Sequence, residues 1–157
     1  MIRFREMCAD DLEFFIAIRN ECADFLDDNT RFTINQCREW FRKSKPKFYI
    51  LTHNNNDVGY FRTSSWNEDE SSVFIGCDIH RTYRGMGIAK LAYPKFMNFM
   101  LESFGFKTFI LYVLEFNVRA ISLYEKVGFK RTNKKTDPVF RGKEKIKRIE
   151  MKMEISK

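Results

Sequence analysis

The sequence CDIHRTYRGMGIA, residues 77–89, joins a predicted strand to a predicted helix through a glycine-rich turn. Gly85 and Gly87 allow the backbone to turn sharply and to approach a ligand without a Cβ in the way. The free N–H groups at the start of the helix form an anion site, and Arg84 adds a charge that can pair with phosphate. The stretch therefore predicts a seat for a pyrophosphate group.

Two other phosphate motifs do not fit this turn. A full Gly-x-Gly-x-x-Gly is missing, and no acidic residue ends a following strand at the right distance, which disfavours a dinucleotide site. No Gly-Lys-Ser/Thr is present, which excludes a P-loop.

The periodicity of apolar residues alternates between strand and helix patterns along a single domain, residues 1–157. Asp10 or Asp11 is expected to cap the first helix, residues 66–70 are expected to form an acidic loop, and Glu150 is expected to face away from the core. The predicted strands cover residues 2–5, 47–52, 58–62, 73–79, 109–114, 129–131 and 149–155, and the predicted helices cover residues 12–19, 33–45, 87–104 and 119–126. This is a mixed α/β pattern.

A second stretch, NVRAISLYEKVGF at residues 117–129, follows the apolar run that predicts a central strand. It matches the pattern Asn-x-x-Ala-x-x-Leu-Tyr-x-Lys-x-Gly-Phe. Residues 84–89, RGMGIA, match Arg/Gln-x-x-Gly-x-Gly/Ala. With both patterns in order and at the usual separation, the chain resembles the GNAT (Gcn5-related N-acetyltransferase) family from about Met1 to Ile155.

The resemblance implies an α/β GNAT fold, with a central mixed, mostly antiparallel sheet flanked by helices. In this family strands four and five splay apart, and the pantetheine arm of acetyl-CoA fills the gap. Gly76 is the expected bulge residue for that splay, because glycine inside a strand often marks a bulge.

The resemblance also implies which residues bind acetyl-CoA. The backbone of Cys77, Asp78 and Ile79 would hydrogen-bond the pantetheine amides, Asn117 would contact the cofactor through its side-chain amide, and Tyr124 would lie beside the thioester sulfur. The turn that would hold the pyrophosphate consists of Arg84, Gly85, Met86, Gly87, Ile88 and Ala89.

Tyr124 has the chemistry of the acid that acetyl transfer needs. The departing CoA thiolate has a basicity near pKa 8.5, and a phenol with a pKa of about 10 is protonated at neutral pH. Tyr124 can therefore protonate the thiolate, and a tyrosine that merely packs on its helix is the competing interpretation.

The base is less evident. An amine with a pKa of about 10.4 is almost wholly protonated at neutral pH and must lose a proton before it attacks. Many family members place a glutamate on the fourth strand, whereas this chain has none between Ser71 and His80. Asp78 is the candidate on that strand, and His80 shares its face. The other candidates for the base are Glu70, Glu115 and a chain of water molecules, and the sequence does not decide among them.

The acceptor site in this family is built from the first two helices and the loop before the last strand. Arg19, Asn20 and Trp40 are the predicted substrate contacts, because they resemble members that acetylate amino groups on nucleotide-linked sugars. Arg141-Gly142-Lys143 recurs in that group, but also in relatives that modify ribosomal-protein N-termini or polyamines. A surface charge for Arg19 and a core aromatic for Trp40 are the competing interpretations.

The net charge of +7 is concentrated at the C-terminal end. Residues 130–157 carry eleven basic and four acidic side chains, and residues 1–129 are neutral. Such charges would attract an anionic acceptor and repel a polyamine if they line the cleft. A solvated hairpin with its charges outside is the alternative. The charges in question belong to Lys134, Lys135, Arg141, Lys143 and Lys145.

Composition excludes several other classes of protein. With 44% hydrophobic residues the chain is not disordered, and no stretch approaches the roughly 18 apolar residues of a membrane span. The first residues lead directly into acids, unlike a secretory signal. The cysteines are widely spaced, and neither histidine has a partner at a metal-ligand spacing, so no metal site is expected.

These observations predict a cytoplasmic, acetyl-CoA-dependent N-acetyltransferase of a small-molecule primary amine, such as an amino sugar linked to a nucleotide. Acetylation of a protein N-terminus or lysine is the first alternative. A nucleic-acid-binding module that uses the basic C-terminus is an alternative of another class, and a GNAT fold that binds CoA without catalysis is a third. No nucleic-acid or membrane partner is expected, and the resemblance allows a homodimer.

Overall fold

The computed structural model describes residues 1–156 and places seven strands in one central sheet. The strands within these residues are β1 (Ile2–Glu6), β2 (Tyr49–His53), β3 (Asn56–Asn67), β4 (Ser72–Ile79), β5 (Thr108–Leu114), β6 (Lys130–Arg131), β7 (Val139–Arg141), β8 (Glu144–Ile146) and β9 (Arg148–Glu154). The helices are α1 (Leu12–Glu21), α2 (Ile34–Ser44), α3 (Ile88–Phe104) and α4 (Val118–Val127).

The strand order in the central sheet is β1-β2-β3-β4-β5-β9-β6. All neighbouring strands are antiparallel except β4 and β5, which are parallel. Strands β7 and β8 form a separate hairpin. The prediction of a mixed, mostly antiparallel sheet flanked by helices is thereby confirmed.

Strands β4 and β5 pair over only three residues. Their register runs from Ser72 opposite Thr108 to Phe74 opposite Ile110 and then stops. On its other side β4 stays paired with β3 as far as Ile79. The second half of β4 therefore has a free edge in the middle of the sheet, and the predicted splay is confirmed.

The prediction that Gly76 forms a bulge is wrong. The β3–β4 register runs without a shift through Gly76, which lies opposite Arg62, and the irregularity in this pair falls between Ser64 and Asn67. A Cβ on Gly76 would lie 2.6 Å from Cζ and 2.9 Å from Nη1 of Arg62. Glycine at this position therefore makes room for the Arg62 side chain.

Apolar side chains on the two faces of the sheet form two clusters. On one face Phe61 stacks on Phe96 of α3, with ring centroids 4.1 Å apart. On the other face Tyr60 packs on Phe15 of α1 at 4.7 Å. Because side chains alternate along a strand, Arg62 lies on the same face as Tyr60, toward α1 and α2.

The start of α2 agrees with the sequence-based prediction, whereas the start of α1 differs from it. Thr33 and Gln36 form the capping box of α2, where Thr33 Oγ1 accepts from the Gln36 N–H and Gln36 Oε1 accepts from the Thr33 N–H. Asp11, in contrast, does not cap α1 with its side chain. Its carboxylate accepts from the Cys8 N–H and pairs with Arg5 at 2.8 Å, within a short 3₁₀ turn before α1.

One further expectation was wrong, and another needs a supplement. Trp66, expected in a loop, lies in β3 and packs on Phe104 and Phe106 with centroids 4.9 and 5.2 Å away. Glu150 faces the opposite way from Met151 as expected, but it is only 7% exposed and accepts a hydrogen bond from Thr132 Oγ1 at 3.1 Å. In both cases the covering residues are distant in sequence.

We expect Gly59→Ala to destabilise the fold more than Gly76→Ala. A Cβ on Gly59 would collide with the backbone carbonyl of Asp78 and lie 3.0 Å from Ile79 Cδ1. Rigid backbone cannot give way, so the free energy of unfolding should fall by about 1–3 kcal/mol. At Gly76 the Arg62 guanidinium can move aside. Urea unfolding with an unchanged m-value measures both losses, and equal losses would contradict the packing described.

Candidate active site

A cleft of about 1200 Å³ opens where β4 and β5 separate. One part of its wall comes from the free edge of β4 and the first turns of α3 and α4, and we call this part the turn half. The other part comes from α1, α2, the loop between them and the side chains of Phe48 and Phe74. We call it the aromatic half because Phe15, Phe32, Trp40, Phe48 and Phe74 line it.

The glycine-rich turn before α3 has the geometry that the sequence predicts. Gly85 and Gly87 have φ angles of +77° and +74°, and no heavy atom lies within 4 Å of the position of a Cβ on either. Gly87 begins α3 without a side-chain cap. The first N–H groups of this 17-residue helix are therefore available to an anion at the cleft.

The Arg84 side chain does not stand free at this turn. Its Nε donates to the Ile79 carbonyl at 2.8 Å, and its Nη2 lies 3.5 Å from the Glu21 carboxylate and 3.2 Å from Cys22 Sγ. Burial raises the pKa of the Cys22 thiol to about 11. Arg84 therefore ties the turn to the end of α1.

Other cations line the turn half and were missed by sequence reasoning. Lys90 lies in the first turn of α3, Arg119 in the first turn of α4, and Lys126 in its last turn. All three side chains are exposed, and none forms an ion pair in the described part of the chain. The sequence signal that could have revealed them is their position in the first or last turn of a helix that borders the cleft.

The remaining predicted cofactor contacts divide into two groups. Cys77, Ile79, Ile88, Ala89 and Asn117 line the cleft. The Asn117 side-chain oxygen also accepts from the Ala120 N–H at 3.3 Å and caps α4. Met86 is 64% exposed and is not among the lining residues.

Tyr124 lines the cleft and also packs against the core. Its ring meets Tyr93 edge-on at 5.6 Å and Phe129 at 6.0 Å. Burial raises the pKa of Tyr124, so the phenol carries its proton throughout the neutral range. The two interpretations of this residue are therefore compatible.

Asp78 lies in the cleft next to a cation that sequence reasoning missed. It is 8% exposed, and Arg62 Nε donates to its Oδ2 at 3.1 Å. Although burial opposes its charge, the Asp78 carboxylate raises the pKa of the Arg62 guanidinium. Arg62 is recognised by its position opposite Gly76 in the neighbouring strand. The sequence does not reveal this position until the register of β3 and β4 is known.

The other candidate bases lie away from the cleft. His80 is not a lining residue. Its Nδ1 accepts from the Thr82 N–H at 3.1 Å, and its ring stacks on Phe14 at 6.2 Å. Glu70 and Glu115 are exposed and line no part of the cleft. Among these candidates Asp78 alone borders the cleft, and its role as a base stays a prediction.

The predicted acceptor contacts are only partly brought together. Trp40 lines the aromatic half and stacks on Phe15 at 5.4 Å. Arg19 lines it as well, above the Phe32 ring at 4.8 Å. Asn20 is not a lining residue, because both ends of its amide are bonded to the Phe32 backbone at 2.8 and 3.0 Å.

Of the two alternatives for the C-terminal cations, the structure rules out the one in which they line the cleft, since none of Lys134, Lys135, Arg141, Lys143 and Lys145 is a lining residue. Arg141 donates to the carbonyls of Asp24 and Leu26 at 2.8 and 2.9 Å, and Arg148 pairs with Asp27 at 2.6 Å. These two arginines hold the loop after α1, and Leu26 and Asp27 of that loop line the cleft.

Residues 1–156 contain neither a candidate metal site nor a candidate membrane span. No group of three or more His, Cys, Asp or Glu side chains there could hold a metal ion. None of the described helices is both long and apolar enough to cross a membrane.

The sequence and the fold both have counterparts among known proteins. The family model for the acetyltransferase (GNAT) domain matches residues 2–130. YokL, an SPbeta prophage-derived uncharacterized N-acetyltransferase of Bacillus subtilis (strain 168), is 24% identical over 133 residues, which is 82% of this chain and 75% of that protein.

Solved structures with the same fold include the spermidine N-acetyltransferase from Vibrio cholerae in complex with CoA and spermine. It is 17% identical at a TM-score of 0.86, over 98% of this chain and 95% of that one. The structure of the Salmonella typhimurium acetyltransferase yncA with its cofactor acetyl-CoA is 13% identical at a TM-score of 0.77. The match covers 100% of this chain and 95% of that one. Because the family model covers most of the chain, the chain belongs to the GNAT family of N-acetyltransferases.

Proposed function

We propose that this chain is an acetyl-CoA-dependent N-acetyltransferase that acts on a primary amine of a small molecule. The observation that carries this proposal is the free edge of β4 beside the turn of Gly85 and Gly87. A strand edge offers N–H and C=O groups to amides, and the turn offers N–H groups to phosphate. The pantetheine and pyrophosphate of acetyl-CoA carry those groups in that order.

The residues of the turn half fit acetyl-CoA in charge as well as in shape. Cys77, Asp78 and Ile79 belong to the unpaired part of β4 and would hold the pantetheine through their backbone. Lys90, Arg119 and Lys126 surround the turn half with positive charge, which suits the phosphates of CoA.

Tyr124 and Asp78 would move the two protons of the reaction. Acetyl-CoA, when bound, supplies the acetyl group, which bonds to the amine nitrogen as its bond to sulfur breaks. Tyr124 would donate its phenolic proton to the sulfur, so that CoA departs as a thiol. Asp78 would accept the proton that the nitrogen loses, directly or through water.

For the acceptor, an amino sugar linked to a nucleotide remains one candidate. Trp40 and Phe15 offer an aromatic surface on which a sugar or base ring can pack. The C-terminal cations no longer support the nucleotide, because they lie outside the cleft. The acceptor is therefore proposed here only as a small-molecule primary amine.

We expect acetyl-CoA to raise the melting temperature. At a concentration of 100 times Kd, binding stabilises the folded state by about 2.7 kcal/mol, a shift of several degrees. The Lys90→Ala/Arg119→Ala double variant should need more acetyl-CoA, most clearly at low salt. Lys95→Ala is the matched control, because Lys95 is an exposed residue of α3 outside the cleft. No shift in the wild type would contradict the proposed function.

We expect Tyr124→Phe to lower kcat by about 10²–10⁴-fold and to leave the KM for acetyl-CoA nearly unchanged. Because burial raises the pKa of Tyr124, the acid is lost only as pH rises through that pKa, above the usual value of about 10. The wild type should therefore keep its kcat from about pH 7 to 9. Tyr49→Phe, in the core, is the control. An unchanged kcat in Tyr124→Phe would remove it as the acid.

A panel of acceptors, scored by thiol release from acetyl-CoA, tests the acceptor class. The panel contains nucleotide-linked amino sugars, spermidine, an aminoglycoside and short peptides. We expect turnover with small-molecule amines, because the loop that Arg141 and Arg148 hold forms part of the cleft wall on the α1 side. Turnover restricted to peptides would replace the proposal by protein acetylation.

A further inference from the structure

The acceptor side of the cleft contains one cation whose donors are not already engaged. Arg19 donates to the carbonyl of Asp28, Arg84 pairs with Glu21, and Arg148 pairs with Asp27. Arg62 uses only Nε, toward Asp78, and neither Nη1 nor Nη2 makes a hydrogen bond to another group up to Ser156. Its side chain is 36% exposed and lines the cleft.

Two neighbours restrain the position of the Arg62 guanidinium. It lies over the backbone of Gly76, where a Cβ would be only 2.6 Å from Cζ. The ion pair with Asp78 holds its Nε edge at 3.1 Å. The opposite edge, with Nη1 and Nη2, remains able to bind a carboxylate through two parallel hydrogen bonds.

Asp78 supplies the opposite charge in contact with this cation. It is nearly buried, and only its Oδ2 accepts from Arg62. The neighbouring Tyr60 lies opposite Asp78 in the β3–β4 register, and its buried hydroxyl has no partner in the described part of the chain. The site therefore presents a guanidinium edge and a carboxylate to the cleft on one face of the sheet.

We propose that Arg62 and Asp78 together select an acceptor that carries a carboxylate one or two carbon atoms from its amine, as an α-amino acid does. Arg62 binds the carboxylate through Nη1 and Nη2, and Asp78 faces the amine. Only a short spacer lets both contacts form, because the two side chains touch. This inference rests on the proposed function and deepens it.

The rest of the aromatic half suits the side chain of such an acceptor. Phe48, Phe74 and Trp40 present apolar surface next to the ion pair. A polyamine would instead bring a second ammonium group toward Arg62, and like charges repel. A nucleotide-linked amino sugar separates its phosphate from its amine by a sugar ring, too far for the two contacts.

The test compares acceptors that differ only in the carboxylate. L-phenylalanine, L-methionine and L-leucine are each assayed beside the corresponding amide, with spermidine and a nucleotide-linked amino sugar as further acceptors. Initial rates of thiol release give kcat/KM for each. We expect the free acids to exceed their amides by about 100-fold, the effect of one charge-assisted pair. Equal rates for acid and amide would overturn the inference.

Variants of Arg62 show whether this residue binds the acceptor carboxylate or only holds the Asp78 side chain in place. Arg62→Lys and Arg62→Gln should lower kcat/KM for the free acids by about 100-fold, mainly through KM, and leave the amides nearly unchanged. Gly76→Ala, which displaces the guanidinium and keeps both charges, should act in the same direction. Arg42→Gln, an exposed residue of α2 outside the cleft, is the matched control. An equal loss for acids and amides would make Arg62 only a support for Asp78 and overturn the inference.

Two readouts keep the outcomes distinct. Circular dichroism and the acetyl-CoA melting shift show that each variant is folded and binds acetyl-CoA, and Arg62→Lys and Gly76→Ala decide the matter if Arg62→Gln does not fold. Efficient acetylation of amides, spermidine or the nucleotide-linked sugar in preference to the acids overturns the carboxylate site alone. If no amine in the panel gives thiol release, the proposed function itself is contradicted.

Discussion

The site depends on the parting of β4 from β5 after Phe74. Buried backbone groups need hydrogen-bond partners, so a strand that loses its neighbour in the middle of a sheet must find others in solvent or in a ligand. The gap cannot close, because β3 holds β4 as far as Ile79 and β9 holds β5 as far as Leu114. Helices α3 and α4 begin beside this gap, and their N-termini therefore face the same cleft.

The register of β3 and β4 determines the charge at the centre of the cleft. Arg62 lies opposite Gly76, and Tyr60 lies opposite Asp78, so the guanidinium rests where the glycine has no side chain. A buried ion pair is weak evidence for stabilisation, because removing two charges from water offsets their attraction. Replacing such a pair by apolar side chains often leaves stability unchanged or raises it. The presence of this pair in the cleft is therefore better explained by what the cleft binds.

The features that the sequence predicted are those set by local patterns. The turn of Gly85 and Gly87, the start of α2 at Thr33, and the run of strands and helices all depend on residues close together in the chain. Burial and pairing across the sheet were not accessible in this way. The room that Gly76 makes for Arg62 and the burial of Glu150 beside Thr132 each depend on residues at least 14 positions away, brought together only by the strand register.

The same limit applies to the acceptor side, with a larger consequence for function. The basic residues from Lys130 to Lys152 do not line the cleft. Instead Arg141 and Arg148 cross more than 100 positions to hold Asp24, Leu26 and Asp27, and Arg148 also covers the Tyr112 ring at 4.1 Å. The wall of the aromatic half is thus set by contacts between the two ends of the chain. Basic residues there shape this wall by positioning its loop, and in our proposal the charges that meet the acceptor are those of Arg62 and Asp78.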